Sequence, residues 1–114
     1  MTQFNDTLTN TRLNELRHKE EEGLVRAFAP KYGYAYVNLH ETPIDVDALK
    51  ILPEDESRHG ELAIFAHGNE RVSVAIRNPQ NAELPVLLEK LHRMGFSPTL
   101  HLASHESVAY AWER

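Results

Sequence analysis

A chain of 114 residues has room for one domain with a single modest core. Its formal charge of -5 argues against a nucleic-acid partner, because phosphate binding needs a basic face. The absence of cysteine removes disulfides and thiolate chemistry and fits a cytosolic setting.

In chain order, residues 1–10 are polar and rich in Asn and Thr, and are expected to form a flexible tail. This N-terminus has no apolar segment of the kind a signal peptide needs. No apolar run approaches the ~20 residues of a bilayer span, so any work at a membrane is expected to go through a partner rather than by direct insertion. An amphipathic helix is expected over residues 11–30. Leu13, Leu16, Leu24, Ala27 and Phe28 fall on roughly one side, with the run from His18 to Glu22 facing water. Pro30 disfavours helix in the residue before it, so the helix is expected to end at Ala29.

Residues 31–114 are expected to form an α+β domain. Tyr34 to Leu39 (YAYVNL) reads as a short strand. Asp45 is placed to cap a short helix containing Val46, Leu49 and Leu52, and a second turn of helix follows from Pro53 to a C-terminal cap at Gly60. The stretch from Glu61 to Pro79 reads as a hairpin at the centre of the sheet. Val72, Val74 and Ile76 alternate with smaller or polar residues, and Gly68-Asn69 supplies the turn. Asn78-Pro79 stops the second strand. A helix then begins near Asn81, with Leu84, Leu87, Leu88, Leu91 and Met94 inward and Gly95 at its C-terminal end. Phe96 to Ala103 reads as a strand, with Pro98 suited to an edge or an entry position. Ser104 caps a last helix carrying Val108, Ala111 and Trp112. That helix reaches Arg114 with no stop signal, which reads as a chain that continues in its native form.

Leaving out the flanking helices, the order is β-α-β-β-α-β. The expected architecture is a two-layer sandwich, helices packed on a small, mostly antiparallel sheet of three to four strands, with an extra N-terminal helix.

The residues point to no catalytic constellation. The five glycines begin no phosphate-binding loop. The serines lie in no nucleophile elbow. Seven histidines are many for this length, but His101 and His105 fall on different elements, and His40 with Glu41 and His59 with Glu61 are pairs without further ligands. No catalytic, cofactor or metal residue is assigned. The candidate partner-binding residues are Leu13, Leu16, Leu24 and Phe28 on the first helix and Trp112 on the last. For Trp112, packing against its own domain is the equal alternative.

Three segments carry a family resemblance. They are Tyr36-Val37-Asn38-Leu39 followed by Pro43 to Glu54 (PIDVDALKILPE), the strand end Val72 to Pro79 (VSVAIRNP), and Leu87 to Leu102 leading into Ser104 to Ser107. Together they resemble the N-terminal domain of type II secretion and type IV pilus assembly ATPases, the GspE/PulE-like family with its MshEN-like domain. The family's Asp-Pro is Asn78-Pro79 here, and both residues can cap the following turn. Some relatives bind cyclic di-GMP through an Arg-Leu-Gly repeat. No Arg-Leu-Gly occurs between Arg12 and Gly33, so that binding is not carried over.

The resemblance implies a non-catalytic docking or regulatory domain, cytoplasmic and peripheral to the inner membrane through a partner. It would link the motor to an inner-membrane platform protein, pass to a downstream ATPase domain and be hexameric only through the full-length motor. Docking would use the N-terminal helix or an exposed sheet edge. The alternative is a regulatory domain that senses a cyclic dinucleotide or nucleotide.

Overall fold

A computed structural model describes the backbone from Thr2 to Arg114 and the side chains from Leu16 onward. The tail expected at residues 1–10 and the side chain of Leu13 lie outside the side chains described.

The first helix, α1 (Thr2–Tyr32), runs through Pro30 and one turn past the expected stop. Pro30 gives up its own amide and crowds the carbonyl four residues back, but it lies in the last turn, and the helix closes just beyond it. Gly33 takes φ +79°. Its N–H donates to Pro30 O at 3.1 Å, and the Tyr34 N–H donates to Ala29 O at 3.0 Å. These two bonds satisfy carbonyls that the helix end would leave orphaned.

Strand β1 is Ala35–Tyr36. It is shorter than the YAYVNL reading because the chain then turns inward: the Leu39 N–H donates to Ser107 Oγ at 3.1 Å. Helix α2 (Val46–Leu49) starts where Asp45 caps it, its carboxylate accepting from the Asp47 N–H at 3.0 Å. Helix α3 (Glu54–Gly60) follows Pro53. Gly60 lies inside this helix and does not cap it, and the left-handed cap residue is Glu61, at φ 55°.

Strands β2 (Leu62–Gly68) and β3 (Arg71–Ile76) form the hairpin. Its two-residue turn is Asn69-Glu70, both with positive φ, one position later than the Gly68-Asn69 expected. Helix α4 (Glu83–Arg93) begins where the Asn81 side chain accepts from the Glu83 N–H at 2.8 Å, and it ends at Gly95, φ +93°. Leu84, Leu87 and Leu91 are buried as expected, whereas Met94 is exposed. Strand β4 (Ser97–Leu102) leads to Ser104, whose hydroxyl oxygen accepts from the Ser107 N–H and caps α5 (His105–Trp112).

The α+β class and the helix-on-sheet packing match the sequence reading. The four-stranded sheet has the order β1-β4-β3-β2. It is mixed in direction: β2 and β3 are antiparallel, while β4 is parallel to both β3 and β1. The hairpin is therefore not central. Its β3 arm is interior and its β2 arm forms an edge. Helix α4 is the crossover that makes β3 and β4 parallel. Pro98 fits in an interior strand because β1 pairs only with His101 and Leu102, leaving the first half of β4 open on that side.

Helices cover both sheet faces. Leu62, Ile64, Val74 and Ile76 pack with Leu84, Leu87 and Leu91 of α4 and Ala29 of α1. On the other face Ala63, Phe65 and Ala75 pack with Val108 and Ala111 of α5. A bulge at Phe65, where the β2–β3 register shifts, lets Phe65 and Ala66 both serve this second face.

Candidate functional site

The first helix sits on the sheet by the face that carries Val25 and Ala29. Ala29 is 1% exposed and Val25 half-buried, and these two touch the core. The α1 residues that the sequence offers for partner contact are exposed where their side chains are described. Leu16 is 55% exposed, Leu24 60%, Phe28 45% and Tyr32 51%. Leu24, Phe28 and Tyr32 follow one another at intervals of four residues and share one side of α1, while Leu16, eight residues before Leu24, lies about 80° further round the helix. Lys31 stands 5.2 Å over the Phe28 ring at the end of this stripe.

Polar contacts hold the helix in this orientation. Glu22 accepts hydrogen bonds from the Tyr36 hydroxyl and the Ser104 hydroxyl. Glu21 accepts from the His105 N–H at 3.0 Å, so two carboxylates of α1 meet the N-terminal end of α5, where negative charge is favoured. Arg26 lies 5.0 Å over the Tyr36 ring. Burial, then the bond to Glu22, pushes the Tyr36 hydroxyl far above the ordinary phenol range. The run that includes Glu21 and Glu22, expected to be a solvated face, thus contains the anchor. Hydropathy could not reveal this, because a carboxylate that meets hydroxyls and a helix end reads the same as one that meets water.

Trp112 is not in this surface. Its indole N–H donates to Leu62 O at 2.8 Å, and Arg58 stacks 4.9 Å from its ring centroid. It lines a groove with α2 and α3 residues to which no described residue of α1 contributes. The outer edge of β2 is also engaged, since Phe65 O accepts from the Asp45 N–H at 2.9 Å and Leu62 O from Trp112. Of the two docking elements foreseen, the α1 face is the more open.

A second polar patch surrounds Glu61. Its carboxylate accepts from Asn81 at 3.0 Å and from Arg77 at 2.7 Å. The Asn81 bond, aided by the Arg77 charge, holds the Glu61 carboxyl below its usual range. Among the described residues no group of three or more His, Cys, Asp or Glu side chains is placed to hold a metal. His101 packs edge-on against Phe65 at 5.4 Å. His105 is exposed at the start of α5. His67 pairs with Asp45 at 2.8 Å.

The family model described as the MshEN domain matches residues 32–114. Among solved structures, one described as the structure of MshE with cdg superposes with a TM-score of 0.72 at 18% identity, covering 80% of this chain. The match spans 65% of that chain. The N-terminal domain of XpsE superposes with a TM-score of 0.60 at 16% identity, covering 99% of this chain and 94% of that one. At these identities the superpositions speak for the fold. No curated protein sequence matches the chain.

Proposed function

The chain belongs to the MshEN domain family, the N-terminal domain class of type II secretion and pilus-assembly ATPases, and on that premise we propose that it is a non-catalytic docking module. It links a downstream motor domain to an inner-membrane platform protein. No described helix is long and apolar enough to cross a membrane.

The observation that carries this reading is the exposed apolar stripe of α1. Leu16, Leu24, Phe28 and Tyr32 are exposed while Glu21, Glu22 and the buried Ala29 tie the helix to the body. Leu24, Phe28 and Tyr32, spaced about one helical turn apart, suit a helix-in-groove contact, with Leu16 bordering them two turns before Leu24. On this reading the domain precedes an ATPase motor, which gives the contact its use: the motor is held near the membrane while remaining free to move. The test is a pull-down with the 114-residue chain as bait and the cytoplasmic part of the platform protein from the same genome as prey. Specific retention is expected, and a platform protein that passes through unretained would count against the reading.

A second reading rests on a specific observation: the relative MshE was solved with cdg. On this reading the chain senses a cyclic dinucleotide. The region from Arg12 to Gly33 lacks Arg-Leu-Gly, which weighs against it. Ligand binding to the native state raises the melting temperature by mass action, so a melting temperature unmoved by saturating cyclic di-GMP removes this reading.

A further inference from the structure

The exposed row of α1 borders a groove. Phe28 lies four residues after Leu24 and three after Val25, so it adjoins both the exposed row and the side that meets the sheet. Past Phe28 a groove of about 360 Å³ runs between α1 and the loop that follows β3. Val25, Phe28 and Tyr32 line it from α1, and Arg77, Pro79 and Leu102 line it from the body. Val25 is half-buried and Leu102 buried, so the base is apolar. Phe28 and Tyr32, both exposed, form one wall, and Pro79 and Arg77 form the other.

The rim sets the charge of what enters. The whole chain is acidic, at -5, but the groove is edged by cations. Lys31 is exposed beside Phe28, and Arg77 is 46% exposed on the facing wall. Glu61 is the acid among the lining residues, and its carboxylate is already bound by Arg77 at 2.7 Å and Asn81 at 3.0 Å. Arg77 reaches Glu61 through Nη1 alone, which leaves guanidinium donors for a second carboxylate. An apolar base with a cationic rim fits an acidic amphipathic segment. A bilayer suits the site less, because an interfacial contact uses a broad apolar face on a basic helix, and a chain of charge -5 is repelled by anionic headgroups.

We propose that this groove seats the anchor of the docking contact: it receives one large apolar side chain from an amphipathic helix of the platform protein, and an acidic residue beside that anchor meets Arg77 and Lys31. The proposal rests on the docking reading and narrows it, because the surface is then composite. One wall belongs to α1 and the other to the body, so the partner recognises α1 only in its docked position. Glu21 and Glu22, which tie α1 to Tyr36, Ser104 and the start of α5, thus hold the groove's two walls together without lining it.

The experiment is hydroxyl-radical footprinting of the native chain with and without the platform protein's cytoplasmic part, read by mass spectrometry. Phe28, Tyr32 and Pro79 are expected to lose reactivity together, roughly threefold or more, as side chains do where an interface excludes water, while Tyr110 and Trp112 keep theirs. Protection of Phe28 and Tyr32 with Pro79 unchanged overturns the groove and leaves docking on α1 standing. No protection, with the partner unretained, removes the docking reading and the groove with it. The charge of the occupant is read from a double variant. Lys31→Gln/Arg77→Gln is expected to bind roughly three- to tenfold more weakly, the scale of two exposed charge pairs, and to lose part of the salt dependence. Gln at position 77 keeps a donor for Glu61, so the fold is retained. Lys50→Gln/Arg93→Gln, the same change of charge on other faces, is expected to bind as the native chain does. Equal weakening in both variants, or none in either, overturns the proposal. So does a native chain that dimerises in sedimentation and is monomeric as the rim variant, which assigns the groove to a second copy, or one that binds phosphatidylglycerol vesicles through the same residues.

Discussion

Glu61 and Glu70 both hold backbone conformations that L-residues avoid, and different restraints keep them there. Glu70 occupies the second position of the β2–β3 turn at φ 70°, after Asn69 at φ 51°. Such turns favour glycine there, and a non-glycine residue costs on the order of 1 kcal/mol. Its carbonyl accepts from the Ser97 N–H at 2.7 Å, a bond that glycine would keep. Glu70→Gly is therefore expected to stabilise the chain by about 1 kcal/mol, read as an upward shift of the urea midpoint. Glu61, at φ 55°, is held by its side chain, through Asn81 and Arg77. Its carboxyl titrates lower in the folded than in the unfolded chain, where it lies near 4.3. The unfolded chain thus binds the proton more readily. The stabilisation is present above about pH 4.3 and is lost as pH falls through the folded value. Glu61→Gln is expected to flatten the loss of stability with acidification below about pH 5, measured by denaturant titration at successive pH values.

At the scale of elements, Gly60 shows how a glycine can be required by a neighbour rather than by its own backbone. A Cβ there would stand 2.4 Å from Leu87 Cδ1, and Leu87 is buried in the main core. Gly→Ala inside a helix normally gains up to about 1 kcal/mol. At the α3–α4 contact, overpacking should outweigh that gain, so Gly60→Ala is expected to cost a net ~1 kcal/mol in chemical denaturation. The sequence shows a glycine at a helix end and suggests a cap. It does not show which helix packs against it. The end of α1 presents the same difficulty in another form. Pro30 argues for a stop at Ala29, but Gly33 three residues later closes the helix with a pair of backbone bonds, so the stop signal that counts is the later one. Local capping was the most readable part of the chain. Asp45, Asn81 and Ser104 each accept from an amide two or three residues on, because these bonds join near neighbours in the sequence.

For the molecule as a whole, legibility ends where the answer depends on contacts distant in sequence. The order of helices and strands and the α+β class follow from periodicity and turn residues. Strand direction does not, since pairing β4 with both β1 and β3 is decided by the α4 crossover and the two-sided core. How α1 is held is illegible for a related reason. The sequence offers Leu24 and Phe28 for partner contact, but the bonds of Glu21 and Glu22 to Tyr36, Ser104 and His105, which with Ala29 dock the helix and leave the Leu24–Phe28 face exposed, join residues far apart in the chain. The docking account depends on that face. It is tested most directly by titrating the platform protein's cytoplasmic part into the native chain and into the double variant Leu24→Asp/Phe28→Asp, with circular dichroism and melting temperature confirming the fold of each. Leu24 is 60% and Phe28 45% exposed and neither belongs to the buried core, so the variant should fold as the native chain does. If they are anchors, its affinity should fall about thirtyfold or more, the loss expected when central hot-spot residues are removed. Native-like affinity in a folded double variant would contradict the account.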